Sequence, residues 1–425
     1  MIKIMKLGET KEEEIFFRKP PETDVSKAVS DILRNVRENG DKAILEYVEK
    51  FDGAKLDSLL VSEEEIEEAF KSEDEKFIEV LKSAAKNIEE FHKKQLQSGY
   101  EIKGEKGIVL GQKVIPVEKA GIYVPGGQAP LSSTVLMDTI PAKIAGVKEI
   151  VMVTPPMKNG KVNSAILAAA KIAGADRIYK VGGAQAIAAL AYGTESIPKV
   201  DKIVGPGSAF VAEAKKQVFG IVSIDMIAGP SEILVIADKS AVPSHVAADM
   251  LSQAEHDRMA SAVLVTDSEE LASSVSLEIE RQLKLLPRYE VARVSIDNHG
   301  KIIIAENIDE VIDIANRIAP EHLELSVDNP FDYLERIRNA GSIFLGKYAP
   351  EALGDYYAGS NHTLPTGGTA KFSSPLSVDD FVHKSQYIYY TKEALLDVAE
   401  DIALFAEKEE LSAHARSVTI RMEDK

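Results

Sequence analysis

Of the chemistry-bearing side chains in this chain, the histidines are the scarcest: eight in 425 residues, with no cysteine at all. Four of the histidines have an acidic or amide neighbour nearby: Gln253, Glu255 and His256; Glu321, His322 and Glu324; Asp355, Asn361 and His362; Glu409, Glu410 and His414. Four such clusters, all in the second half, are suited to one metal or proton-transfer site assembled from distant segments. Without thiolate, a metal must use nitrogen and oxygen ligands. Disulfides and a cysteine nucleophile are excluded with the same stroke. Gln253 and His256 are three apart on an expected helix and share a face, the spacing of a clamp on one ion. Glu321 and His322 follow Pro320 at the mouth of an expected strand, where a carboxylate beside an imidazole can move protons near neutral pH. Asp355 and His362 occupy a long loop rich in Gly, Pro and Thr, the kind of segment that carries function. Glu409 and His414 would lie about 140° apart on an unbroken helix, so a shared site requires a break near Leu411-Ser412.

Elements able to hold such loops follow from periodicity. The first 100 residues read as charged amphipathic helices, Asp24–Glu38 and Ser62–Phe91, with scaffold character. From about Val114 to Asp238, β-branched runs alternate with Ala-rich helices: strands at 121–124, 149–154, 177–181, 202–204 and 232–237, helices at 132–145, 163–173, 184–192 and 208–218. That rhythm means βαβ units and a parallel sheet. A second block follows, with a helix from Pro243 to His256, strands at 262–265, 323–327 and 342–345, and a helix at 308–318. The phrases Ile150-Val151-Met152-Val153-Thr154 and Ala262-Val263-Leu264-Val265-Thr266 are faintly alike, as two related halves would be. From Ser377 the chain reads as helical again. There Leu395, Val398, Ala399, Ile402 and Phe405 form one apolar stripe that needs another domain or subunit to cover it.

Composition narrows the class. The chain is 45% hydrophobic with a net charge of −18, which suits a large soluble protein of more than one domain and argues against a nucleic-acid partner. No apolar run approaches the roughly 20 residues of a membrane span, and the start lacks the pattern of a signal peptide, so a cytoplasmic location is expected. The loop Val181-Gly182-Gly183-Ala184-Gln185 is not a Gly-x-Gly-x-x-Gly fingerprint. Its glycines suit either a plain turn or backbone N–H groups turned toward a pyrophosphate.

Taken together, Gly121-Ile122-Tyr123-Val124-Pro125-Gly126-Gly127, the run Val181 to Thr194, Ala228-Gly229-Pro230-Ser231-Glu232, Leu251 to His256, Ala319 to Glu324 and Gly341 to Gly368 resemble histidinol dehydrogenase over nearly the whole chain. The resemblance implies an α/β protein of two incomplete Rossmann-like domains with parallel-sheet cores, one inserted in the other, plus small helical terminal segments. The expected boundaries are 1–20 for an N-terminal segment, 21–122 with 233–376 for one domain, 123–232 for the inserted one, and 377–425 for a tail crossing to the partner of a homodimer with shared active sites. It implies two successive NAD-dependent oxidations of L-histidinol to L-histidine, with zinc held by Gln253, His256, Asp355 and His414. Crossing would also bring Glu409 and His414 to a site from outside. His322 resembles the base that takes the alcohol proton, and Glu321 the base that activates water onto the aldehyde. Ser231, His362 and Glu409, with the zinc ligands and His322, match substrate positions; Tyr123, Gln185 and Ser208 match NAD positions. Ser208 departs from the family's usual Asn, and its single hydroxyl is a weaker match. His383 is given no catalytic role. The main rival is a zinc hydrolase using the same ligands with Glu321 activating water; a metal-stabilised binding protein is the other.

Overall fold

The computed structural model describes residues 1–18, 24–126 and 130–423, so Gly127 of the Pro125-Gly126-Gly127 phrase lies outside the described residues. Its strands in chain order are β1 (Lys3–Lys6), β2 (Tyr100–Lys103), β3 (Val109–Pro116), β4 (Lys119–Tyr123), β5 (Glu149–Thr154), β6 (Arg177–Lys180), β7 (Lys202–Val204), β8 (Ser223–Ile224), β9 (Glu232–Ala237), β10 (Ser261–Thr266), β11 (Lys301–Ile304), β12 (His322–Ser326), β13 (Ser342–Leu345) and β14 (Val382–Tyr389). They form a parallel sheet ordered β6-β5-β4-β7-β8, a second ordered β1-β11-β10-β9-β12-β13, and an antiparallel sheet ordered β14-β3-β2.

Both parallel sheets carry helices on both faces, which is why their strands read as unbroken apolar runs. In β5, Val151 and Val153 enter one core while Ile150 and Met152 enter the other. In β9, Ile233 and Val235 face one side and Leu234 and Ile236 the opposite side. Apart from β1, the two sheets repeat one order: each lays its second and third strands on one side of its first, and its fourth and fifth on the other. The likeness of the 150–154 and 262–266 phrases has this basis, since β5 and β10 are the second strands of their sheets.

The seam between the two α/β blocks differs from the expected one. Val29, Val36, Ile44 and Val48 of the helix Ser26–Asp52 are buried in the core that holds Val151 and Val153. Ile78, Leu81 and Ile88 of the helix Glu75–His92 share the core of Ile150 and Met152. The helices of 26–92 therefore cover the β4–β8 sheet and do not belong with 233–376. Chain from Ser26 to Ile224 is inserted into a block whose first strand, β1, pairs with β11. An amphipathic pattern shows that a helix is covered, not which sheet covers it.

The chain divides into two compact units, Met1–Gln95 with Val117–Phe381 and Leu96–Pro116 with Val382–Lys425. The smaller unit is not purely helical, as the tail was expected to be: β14 pairs with β3 along its whole length, from Val382 opposite Pro116 to Tyr389 opposite Val109. The helices Lys392–Lys408 and Ser412–Thr419 follow. The expected break between Glu409 and His414 is present, with Glu410 in the left-handed region at φ 60°. Glu409 and His414 are both exposed in this unit.

Candidate active site

The larger unit brings the Glu321-His322 pair into its interior. The helix Ile308–Ile318 ends at Ala319, whose φ of 52° turns the chain sharply into Pro320 and β12. Gly341 then clamps the entry to β12, its N–H reaching the Pro320 carbonyl at 2.9 Å while the Ser342 N–H reaches that of Glu321 at 2.9 Å. A Cβ at residue 341 would stand 2.5 Å from the Glu321 carbonyl oxygen, so only glycine fits.

The side chains converge in the same way. Glu321 Oε2 accepts the Glu232 N–H at 2.8 Å. His322 Nδ1 lies 3.1 Å from the Glu232 carbonyl oxygen and 3.0 Å from the side-chain amide of Gln253. The Gln253 amide N–H donates to Nδ1 in one tautomer, and Nδ1–H donates to the Glu232 carbonyl in the other; only the second leaves Nε2 as the basic nitrogen. Nε2 is buried without a hydrogen-bond partner, as is Gln253 Oε1. Around the ring stand Glu321 Oε2 and Glu351 Oε1, each 3.8 Å from Nδ1, and Asp355 Oδ1 at 3.4 Å from Nε2. Burial alone would depress the basicity of His322; the carboxylates of Glu351, Glu321 and Asp355 overturn it and push the pKa up to about 10. Burial drives the Glu321 carboxyl the same way, to about 8. Glu351 rises to about 7 and Glu324 to about 9, again through burial first.

The pocket crowds the carboxyls of Glu321, Glu324, Glu351 and Asp355 into the surroundings of His322, with more ionisable acid than burial lets them keep charged. Candidate ligand atoms of His322, Glu351 and Asp355 all lie within 4.8 Å of one another. The crowded acids, the N/O donor set and the two orphaned atoms on Gln253 and His322 all suit a divalent cation. His256 follows the end of the helix Pro243–Ala254; although its surface is exposed, desolvation lowers its pKa while the Asp355 carboxylate pulls the other way. His362 Nδ1 lies 3.1 Å from the Asp355 carbonyl oxygen.

Ser231, Glu321 and His362 line a cleft of about 490 Å³ together with Gly205, Gly207, Asp225 and Thr366. Its far wall belongs to the β4–β8 sheet, between the carboxyl ends of β4 and β7, where the strand order reverses. Ligands of open parallel sheets bind at such a point. Tyr123, at the end of β4, is buried, with its phenol pushed up to about 12 by desolvation, and its oxygen accepts the Gly183 N–H at 3.0 Å. Gln185 is buried in the first turn of the helix Gly183–Tyr192, whose free N–H groups favour an anion. Ser208 is exposed at the start of the helix Ala209–Val218 and makes no capping bond.

Comparison with known proteins fits this geometry. The histidinol dehydrogenase family model matches residues 18–422. The chain belongs to the histidinol dehydrogenase family. Curated histidinol dehydrogenases of Clostridium acetobutylicum and Bacillus cereus are 57% and 56% identical, over 94% and 95% of this chain and 92% and 94% of theirs. The crystal structure of the histidinol dehydrogenase from Elizabethkingia anophelis superposes with a TM-score of 0.94 at 40% identity, covering 99% of this chain and 98% of that one. The chain is accordingly an oxidoreductase.

Of the residues singled out from the sequence, Gln253, Glu321, His322 and Asp355 come together directly, and His362 joins through the Asp355 backbone. Tyr123 and Gln185 share the turn at Gly183. Glu409 and His414 lie in the smaller unit. Sequence reasoning missed Glu351 and gave Glu324 and Glu232, though named as neighbours, no role of their own. Glu351 carried a usable signal: it precedes Asp355 by four residues on one helix, Glu351–Tyr356, and so shares its face. Glu324 accepts the Glu351 N–H at 2.7 Å and steadies the start of that helix.

Proposed function

We propose that this enzyme oxidises L-histidinol to L-histidine by way of histidinaldehyde, with two NAD and a zinc ion, as the last step of histidine biosynthesis. The observation that carries the proposal is the Glu321-His322 pair: the His322 ring is buried beside Glu232 and Gln253 among carboxylates, and Glu321 lines one cleft with the switch point of the β4–β8 sheet. By the family resemblance Gln253, His256, Asp355 and His414 would hold the metal; of these, Asp355 belongs to the cluster of candidate ligand atoms that it forms with His322 and Glu351. The bound groups would supply a Lewis acid that grips the amino alcohol and a nicotinamide that accepts hydride.

The chain's own residues move the protons. Once the carboxylates around it are offset by a divalent cation, His322 is freed to accept the alcohol proton at Nε2 as hydride leaves the carbinol carbon. Glu321 takes a proton from water as the water oxygen bonds to the aldehyde carbon, and the proton passes to the former aldehyde oxygen, giving the hydrate. A second hydride and a second proton then leave the hydrate to give the acid. Each positioned proton transfer contributes on the order of 10²–10⁴ in rate. Ser231, His362 and Glu409 contact the substrate in this reading, and Tyr123, Gln185 and Ser208 contact NAD.

Glu409 and His414 enter the site of a second copy of the chain in a homodimer. The smaller unit supports this with its exposed apolar side chains Ile388, Tyr389, Leu404 and Phe405. Among the described residues no helix is long and apolar enough to cross a membrane, consistent with work in the cytoplasm. The test is to mix protein, zinc, L-histidinol and NAD and follow the absorbance of reduced nicotinamide. Two NADH per histidinol are expected; a metal hydrolase yields none.

A further inference from the structure

The helix Ser132–Ala145 of the β4–β8 block grips the loop that carries His362 at three points. Thr134 Oγ1 lies 3.3 Å from His362 Nε2, the Met137 carbonyl accepts from Asn361 Nδ2 at 2.6 Å, and Asp138 Oδ1 accepts from Thr363 Oγ1 at 2.8 Å. Asp138 is fully buried, and its second oxygen has no hydrogen-bond partner among the described residues. That oxygen faces Gly205, the first residue after β7. A Cβ on Gly205 would stand 3.2 Å from Asp138 Oδ2 and 2.2 Å from the Tyr123 carbonyl oxygen.

Gly205 is fixed from its other side as well. Its N–H donates to Asp225 Oδ2 at 2.9 Å, and its carbonyl accepts from Lys215 Nζ at 2.9 Å. Lys215 and Asp225 are themselves an ion pair with both side chains buried. A rigid cradle thus holds the Gly205-Pro206-Gly207 loop from one side, and Asp138 stands between that loop and Thr363.

We propose that Asp138 is a positioning residue that ties the substrate loop Asn361–Thr366 to the cofactor loop Gly205–Ser208. The identity of these loops rests on the function proposed above; the tie itself does not. Hydride transfer needs the two reacting carbons within about 3–3.5 Å, and they would be held by loops from different sheets. A single buried carboxyl bonded to Thr363 and facing Gly205 sets that spacing without touching either reactant. Burial, helped by the nearby Asp225 carboxylate and opposed by the Thr363 hydroxyl and Lys215, raises Asp138 to about 8. It therefore acts as a neutral acid, which an amide can replace.

The test is hydrogen exchange of the unliganded full-length chain, read on residues 205–208 and 361–366 in Asp138→Asn, Asp138→Ala and Thr363→Val. Asp138→Ala should speed exchange of 361–366 about tenfold, the size of one lost buried hydrogen bond, and should also speed 205–208 measurably, through the gap left against Gly205. Asp138→Asn should stay within about twofold of the parent, and Thr363→Val should loosen 361–366. Unchanged loops in Asp138→Ala, or Asp138→Asn matching Asp138→Ala, overturn the proposal. If Asp138→Ala does not fold, unchanged exchange of 361–366 in Thr363→Val overturns it. Steady-state kinetics separate the two readings. Raised KM for both histidinol and NAD in Asp138→Ala supports the tie, whereas a parent without histidinol turnover defeats the assigned function and leaves the exchange result standing.

Discussion

Gly341→Ala tests how firmly Glu321 must be placed. The new Cβ would fall 2.5 Å from the Glu321 carbonyl oxygen and 3.2 Å from Pro365 Cδ. The first neighbour is backbone, tied into the β12–β13 ladder by the 2.9 Å bond from the Ser342 N–H, and has no rotamer to yield. An ordinary carbon–oxygen contact is about 3.3 Å, so roughly 0.8 Å of movement must be found in β12 or β13. Overpacking of this kind costs about 1–3 kcal/mol of stability. Activity should suffer more than stability. Displacing the Glu321 backbone moves a carboxylate whose 2.8 Å bond to the Glu232 N–H fixes its aim, and it shifts His322 with it. A displacement near 1 Å costs on the order of 10² in rate. The assay is kcat/KM for histidinol with NAD, alongside the urea midpoint of the same preparation. A variant within twofold of the parent in activity, at unchanged midpoint, would refute the argument that this contact positions the base.

Glu321→Gln should slow the aldehyde-to-acid half more than the alcohol half, by about 10²–10³; equal loss in both halves in single-turnover experiments defeats its role in hydration. His414→Ala should lose zinc on dialysis against a chelator while the parent retains it, and equal zinc content after dialysis removes His414 from the ligand set. Asp138→Asn should flatten part of the pH dependence of stability. The carboxyl's folded pKa is raised from 3.8 to about 8, so its contribution is fully present below about pH 4 and is lost as pH rises toward 8. At about 1.4 kcal/mol per pKa unit the loss is at most about 6 kcal/mol, and identical urea midpoints for parent and variant across that window would contradict it.

The parts of the molecule that follow local rules were legible. The β5, β9 and β10 runs are apolar on both faces and could only be buried parallel strands. The clustering of Gln253, Glu321, His322 and Asp355 showed in the scarcity of histidine and in the polar neighbours of His256, His322 and His362. What depends on non-local pairing did not show. β14 carries His383, Lys384, Ser385 and Gln386 in a row, a polar stretch whose strand character comes from pairing with β3. Glu351 and Glu324 look like ordinary surface acids until the fold buries them at 3% exposure. Asp138 sits in the buried helix Ser132–Ala145, where only the arrival of Thr363, 225 residues further along the chain, gives it a side-chain partner.

The two parallel sheets share one strand order, yet they work from opposite edges, and electrostatics accounts for the choice. In the β4–β8 sheet the cleft lies at the carboxyl ends of the strands, where the helices beginning at Gly183 and Ala209 present their N-termini. Positive helix ends and free N–H groups suit an anionic dinucleotide. In the β9–β13 block, Ser231, Glu232, Glu321 and His322 lie at the amino ends of β9 and β12. There the helices Pro243–Ala254 and Ile308–Ile318 finish, two residues before His256 and three before Glu321. Negative helix ends add to the carboxylates of Glu351 and Asp355 and favour positive charge: a metal ion, an imidazolium, the ammonium of an amino alcohol. One supersecondary plan used twice thus offers an anion edge and a cation edge, and the cleft lined by Gly205, Ser231 and Glu321 is where the two meet. In the function proposed above, a hydride-accepting cofactor and a cationic substrate would be held apart by charge preference and together by geometry, and neither half of the fold would suffice alone.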